Sequence, residues 1–271
     1  MSGKIIGVVS IKGGVGKTTV VANLATALAK EFGKKVLAVD ANFTAPNLGI
    51  HVGVVNRENT LHDALKGKVD ITKAIYGIDA GFDLVPASLL GGLNVDVFRL
   101  KRKLQPLKEK YDIILIDSSP NLNDEILATM IASDELLVVS SPDYPTLSCT
   151  MRAIKVAKNK RVPIAGLVLN RIRDKKFELS LQEIEEATEV PVIGWLPEDE
   201  KVLESLAETK PAVAFAPARD VSVEYKKLSA CLIGESYKDK RLWSNVKNFF
   251  ISGDVNKVDV NRELIVNKDK K

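Results

Sequence analysis

The nine residues Ile11-Lys12-Gly13-Gly14-Val15-Gly16-Lys17-Thr18-Thr19 hold two lysines, three glycines and two threonines. An apolar stretch, Lys4 to Ser10, runs into them, and an Ala/Leu-rich stretch suited to a helix leaves them. A glycine turn between strand and helix gathers backbone N–H groups and the positive end of a helix at one point, which makes a cradle for phosphate oxygens. The candidate nucleotide-binding residues are therefore Gly13, Gly14, Val15, Gly16, Lys17, Thr18 and Thr19. Lys17 would neutralise β and γ phosphates, and Thr18 would offer its hydroxyl to Mg2+. A second piece of the same chemistry is Asp117, which closes the apolar run from Asp112. A carboxylate at the C-terminal end of a buried strand needs a partner, and Mg2+ held through water is one.

These residues need a scaffold, and the hydrophobic pattern supplies one. Short β-branched runs alternate with longer amphipathic stretches, which predicts an α/β fold: a doubly wound, mainly parallel sheet with helices on both faces. Strands are expected at 4–10, 35–40, 82–86, 112–117, 135–140, 164–170 and 192–195. Helices are expected at 17–32, 96–110, 124–132, 146–158, 178–188, 201–209 and 221–233. One domain over residues 1–234 and a basic tail over 235–271 is the simplest division. From Lys238 onward nine Lys/Arg stand against five Asp/Glu, so the whole formal charge of +4 belongs to residues 238–271. The two cysteines, Cys149 and Cys231, lack the spacing of a zinc site, a redox motif or a disulfide framework, and they do not cluster as iron–sulfur ligands do. No apolar run is long enough to span a bilayer, so the expected location is the cytoplasm.

The phosphate loop departs from the strict GxxxxGK[ST] form, because Ile11 occupies the first glycine position while Lys12 adds a second cation. In this KGGVGKTT looks like the deviant Walker A signature of the MinD/ParA family, and further landmarks recur along nearly the whole domain. The resemblance implies ATP and Mg2+ as ligands, and a dimer closed around two nucleotides in which Lys12 reaches the partner's phosphates. It identifies Asp40, in Val39-Asp40-Ala41-Asn42, with the first aspartate of a DxD-type switch, so Asp40 joins Thr18 and Asp117 as a metal candidate. Asn42 stands where the family has its second aspartate. An amide orients water but cannot take its proton, so hydrolysis is expected to be slow unless a neighbouring carboxylate such as Asp124 substitutes. Lys12, Lys17, Asp40 and Asn42 form the candidate catalytic set. Ser118-Ser119-Pro120 resembles the second switch, with Asn121 at a position where many P-loop proteins have glycine. Asn170-Arg171 and Pro197-Glu198-Asp199 resemble the adenine edge, and the absence of NKxD favours ATP over GTP.

Leu242, Trp243, Val246, Phe249 and Phe250 fall on one face of a candidate amphipathic helix over 240–251, with Lys238, Lys240, Arg241 and Lys247 around it. Such a face suits the headgroup layer of a membrane, or the protein's own core. The resemblance thus implies a MinD-like switch that dimerises with ATP, meets a membrane surface peripherally and recruits an activator or cargo protein. A second reading is a ParA-like partitioning ATPase that holds DNA through basic stretches such as Arg152 to Arg161 and Arg171 to Lys176.

Overall fold

The computed structural model of the chain describes residues 2–90, 95–239, 241 and 253–268. It begins with β1 (Lys4–Val9), α1 (Lys17–Lys30), β2 (Val36–Ala41), α2 (Leu48–His51) and α3 (Leu61–Lys66). There follow β3 (Tyr76–Gly77), β4 (Asp83–Val85), α4 (Leu100–Leu104), β5 (Ile113–Ser118), α5 (Asp124–Ala132), β6 (Glu135–Ser140) and α6 (Tyr144–Asn159). Then come β7 (Ile164–Ile172), α7 (Leu181–Thr188), β8 (Val192–Pro197), α8 (Glu200–Ala207), α9 (Ala212–Phe215), α10 (Asp220–Leu232) and a C-terminal helix, Gly253–Lys268.

Eight strands form one sheet in the order β3-β4-β2-β5-β1-β6-β7-β8, parallel throughout except for the short β3–β4 pair. β2 and β5 are buried at every residue, as Ile/Val/Leu runs covered on both faces must be. α1 and α10 pack against each other on one face, around Val20, Leu24, Leu28, Val221, Tyr225 and Leu228. On the other face α3, α4 and α5 cover β2 and β5, while α6 and α7 cover β6 to β8. The chain leaves β1 toward β2 on one side and returns to β6 on the other, so the loop after β1 opens into the crevice at the reversal of strand order, where α/β sheets bind ligands.

The element boundaries expected from sequence hold within about two residues for most of the sheet and helices, with three departures. The helix expected over 96–110 is split into a 3-10 turn at Val97–Arg99, α4, and a second 3-10 turn at Gln105–Glu109. Pro106 accounts for the second break, since it has no N–H to continue the α ladder. α2, α3, α9 and β3 are too short to leave a periodic pattern. The third departure is the C-terminal helix, whose charges alternate with Val and Ile without a clean apolar stripe.

That helix packs along β8, the edge strand, and against α10. Val258 and Val266 are buried under it, and so is Arg262. The Arg262 guanidinium donates to the Ile193 carbonyl at 2.7 Å and pairs with Glu224 at 2.8 Å and Asp259 at 2.9 Å. Asn261 donates to the Val192 carbonyl at 2.9 Å and to Glu185 at 2.7 Å. The helix therefore caps carbonyls of an edge strand that would otherwise be bare. The candidate lipid-facing residues Leu242, Trp243, Val246, Phe249 and Phe250 lie outside the described residues.

Candidate functional site

The C-terminal ends of β1, β2 and β5 bring the sequence's scattered candidates into one crevice. Asp40 and Asp117 are register partners on β2 and β5, and Asp117 is also the partner of Val8 on β1. Register partners on parallel neighbours project to the same face about 5 Å apart, so the two carboxylates sit side by side beneath the loop that leaves β1. Both are buried, at 1% and 0% exposure.

Their environments differ. One Asp40 oxygen accepts the Asn42 N–H at 3.1 Å, and the other accepts the N–H groups of Asn47 at 3.1 Å and Leu48 at 3.0 Å. These bonds favour its charge, yet burial and the adjacent Asp117 outweigh them and hold its carboxyl well above the usual range. Neither Asp117 oxygen has a hydrogen bond of good geometry. Burial pushes its carboxyl up to about 6, opposed by the nearby Thr18 hydroxyl and the Lys17 charge. Lys17 is itself 7% exposed, and burial lowers its ammonium while Asp117 raises it. A buried carboxylate whose oxygens accept no hydrogen bond is costly even beside Lys17, and Mg2+ fits a site built from Asp117, Asp40 and the Thr18 hydroxyl.

Above them the loop has the backbone that an anion requires. Gly14 and Gly16 take φ of +79° and +91°, which β-carbons resist. At Gly16 the space is also closed, since an added Cβ would lie 2.3 Å from the Asn170 amide nitrogen. Gly16 begins α1, whose first turn has no side-chain cap and no acidic residue. Its positive end is thus left for a ligand. Gly13 and Gly14 are exposed, and Val15 is tucked into the core.

A cavity of about 240 Å³ continues from the loop, lined by Gly16, Thr19, Asn170, Arg171, Pro197, Asp199, Leu203 and Tyr225 among others. All five residues expected at the purine edge, Glu198 included, thus converge, although they come from two strand ends. Two have structural duties as well. The Asn170 amide donates to the Val15 carbonyl at 2.8 Å, bracing the phosphate loop. Asp199 caps α8 through the Lys201 N–H at 2.9 Å and binds Arg219 at 3.0 and 3.1 Å, which leaves Leu203 and Tyr225 as the apolar walls that sequence reading missed.

Lys12 and Asn42 occupy unexpected positions. The Lys12 ammonium donates to Thr146 at 2.9 Å and lies 3.4 Å from Asp143, so within a single chain it rests on the start of α6. Asn42 donates to the Ala45 carbonyl at 2.6 Å and accepts the Ala45 N–H at 3.2 Å, so its amide sets the turn after β2. Asn121 adopts φ +77°, the backbone that glycine favours at this place, and donates its N–H to the Ile11 carbonyl at 2.9 Å. Asp124 is exposed, whereas its neighbour Glu125 turns inward and binds Phe43 and Thr44. No pattern in the sequence distinguishes these two carboxylates, because both sit in the first turn of a helix.

Comparison with known proteins agrees with this geometry. A family model described as an AAA domain matches residues 3–162, and one described as a NUBPL iron-transfer P-loop NTPase matches residues 105–233. An uncharacterized ATP-binding protein of Methanocaldococcus jannaschii is 36% identical over 239 residues, covering 86% of this chain and 89% of its own. The structure of the Pyrococcus furiosus cell division ATPase MinD superposes with a TM-score of 0.80 at 36% identity, covering 84% of this chain and 97% of that one. The septum site-determining protein MinD of Pyrococcus horikoshii OT3, complexed with Mg-ADP, gives 0.79 at 34% identity, covering 84% and 95%. With a lysine-doubled phosphate loop above two paired strand-end aspartates, and with relatives of this identity along most of its length, the chain belongs to the MinD/ParA family of P-loop ATPases.

Proposed function

We propose that this protein is a MinD-like switch that binds Mg-ATP, dimerises around two ATP molecules, hydrolyses them slowly and positions a cellular structure or part of the division or motility machinery. Its place is the cytoplasm and, peripherally, the inner face of the cell membrane; no helix among the described residues is long and apolar enough to cross a bilayer. The observation that carries the reading is the pair of bare Asp117 oxygens at the foot of the glycine loop. Oxygens so placed suit a cation, and the glycine loop beside them suits an anion. Mg-ADP in the Pyrococcus horikoshii relative supports the same ligand class here.

The residues divide the work. N–H groups of Gly13 to Thr19 hold the phosphates, and Lys17 sets its charge on the β and γ oxygens. Thr18, Asp117 and Asp40 hold Mg2+, which when bound neutralises the charge that develops on the phosphates. Asn170, Arg171 and Pro197 frame the base, with Asp199 behind them. Lys12, with its side chain 38% exposed, is free to exchange Asp143 and Thr146 for a partner's phosphates as the dimer forms. Asn42 orients a water but cannot deprotonate it, which keeps the ATP-bound dimer long-lived.

Light scattering with Mg-ATP and with Mg-ADP tests the reading. A dimer is expected with Mg-ATP alone, and Lys12→Ala should stay monomeric while still binding nucleotide. Single-turnover hydrolysis should rise on the order of 10²-fold in Asn42→Asp, within the usual worth of a general base. Absence of saturable Mg-ATP binding, or binding that survives Lys17→Ala unchanged, would remove the proposal.

A further inference from the structure

Glu125 is a carboxylate in the first turn of α5, yet it is only 4% exposed. A carboxylate serving the helix dipole alone would point to its own N–H groups or to water, as the exposed Asp124 does from the preceding position. Glu125 instead bonds outside its element with both oxygens. One accepts the Phe43 N–H at 3.1 Å, and the other accepts the Thr44 hydroxyl. Phe43 and Thr44 follow Asn42 directly in the loop after β2, the loop that three N–H bonds tie to Asp40.

At its own start α5 is held to the other side of the site. Asn123 caps the helix through the Ile126 N–H at 3.2 Å, and the same Asn123 oxygen accepts the Ser119 hydroxyl at 3.0 Å. Ser119 lies two residues after Asp117. Hydrogen bonds and one helical turn therefore run without a break from Asp40, through residues 42–48, Glu125 and Asn123, to the segment after Asp117.

We propose that Glu125 is a positioning residue that locks the loop after β2 to α5, so that the two loops beside the γ-phosphate change conformation together. The proposal rests on the reading of this site as a Mg-ATP site. Thr44 is exposed at the surface end of the link, so one of its two bonds can be removed there without disturbing the core. Leu at 125 offers neither donor an acceptor, whereas Gln could keep both contacts by turning its amide N–H groups toward the Thr44 oxygen.

Hydrogen–deuterium exchange and single-turnover hydrolysis test it together on the full chain. In the wild type, replacing Mg-ADP with a non-hydrolysable Mg-ATP analogue should slow exchange in 42–48 and in 119–127 alike. In Glu125→Leu only one segment should respond, and in Thr44→Val, which loses one of the two bonds, the joint response should weaken. Both variants should hydrolyse ATP roughly 10- to 100-fold more slowly, as expected when a reacting group is misplaced by about 1 Å. Mg-ADP affinity should stay within about twofold of wild type, since binding of the α and β phosphates does not use the link. Thr44→Ser, which keeps the hydroxyl, should behave as wild type, and the double variant should be no slower than the slower single one. Linked exchange and wild-type rates in both variants would overturn the proposal. So would an equal loss of ADP and ATP affinity with a lowered Tm, the mark of a purely structural residue. A wild type with no Mg-nucleotide response at all refutes the Mg-ATP reading itself, a result distinct from either.

Discussion

Asp117→Asn should make the nucleotide-free protein more stable while abolishing its response to Mg-nucleotide. Burial moves the Asp117 carboxyl from 3.8 to about 6 with Lys17 already helping it ionise. A displacement of about two units at 1.36 kcal/mol each amounts to about 3 kcal/mol against the charged form. The sign follows from proton binding: between pH 3.8 and about 6 the folded state keeps a proton that the unfolded chain has lost. The Asp117 contribution to the stability of the empty protein therefore falls across that window and is flat above it, and at pH 7.5 its whole penalty is present. Asparagine removes the charge and also relieves Asp40, whose own carboxyl is raised in part by Asp117. Its amide hydrogens then lack partners in the same buried place, at a cost of about 1–2 kcal/mol. A net gain of roughly 1–2 kcal/mol remains, or about 2–6 °C in Tm for a domain of this size. With Mg-ADP at about 100 times its Kd the wild type gains about 2.7 kcal/mol, and the variant should gain little. Urea unfolding at pH 7.5, with EDTA and then with Mg-ADP, reads both effects. An Asp117→Asn variant less stable than wild type without nucleotide, or one that keeps the full Mg-dependent gain, refutes the reasoning.

Gly16→Ala should lose Mg-ATP binding and about 1–3 kcal/mol of stability, because the new methyl must displace Asn170 at a residue with φ +91°; titration with a fluorescent nucleotide and thermal melts check it. Below pH 6 Mg2+ must compete with a proton at Asp117, so the Mg-dependent part of nucleotide affinity should fall by about tenfold or more per pH unit as the pH is lowered, which calorimetry at several pH values would show. Arg262→Ala leaves Glu224, which is nearly buried, with Lys227 alone and uncaps the Ile193 carbonyl, so it should cost about 2 kcal/mol and expose the C-terminal helix to limited proteolysis.

Much of this site was legible in the sequence because its chemistry is local. Residues 11–19 are contiguous, and strand, turn and helix follow from the order of residue types alone. Asp117 was legible because an aspartate ending a run of Ile and Leu has few other uses. Asp40, Asn170 and Pro197 needed a family pattern, since each is ordinary among its immediate neighbours. What stayed hidden depends on contacts far apart in the chain. Glu125 reaches Phe43 across 82 positions, and Arg262 reaches Ile193 across 69. No periodicity records which of two adjacent carboxylates turns inward, nor that a helix with scattered valines will find a strand edge. Lys12 shows the reverse case, in which the motif names the residue and only the fold shows where its cation rests in a single chain.

The C-terminal helix bears on how the protein should be dissected. Cutting the chain after Gly234 would isolate the P-loop segment, but it would also strip the cover from β8 and leave the Val192 and Ile193 carbonyls and the Val258 site open. A naked outer strand invites a neighbour molecule to add to it. Clumping would then pass for DNA or lipid association in sedimentation assays, in either direction. Point changes at Trp243 or Phe250, made in the uncut protein, ask about membranes while keeping residues 253–268 in the chain.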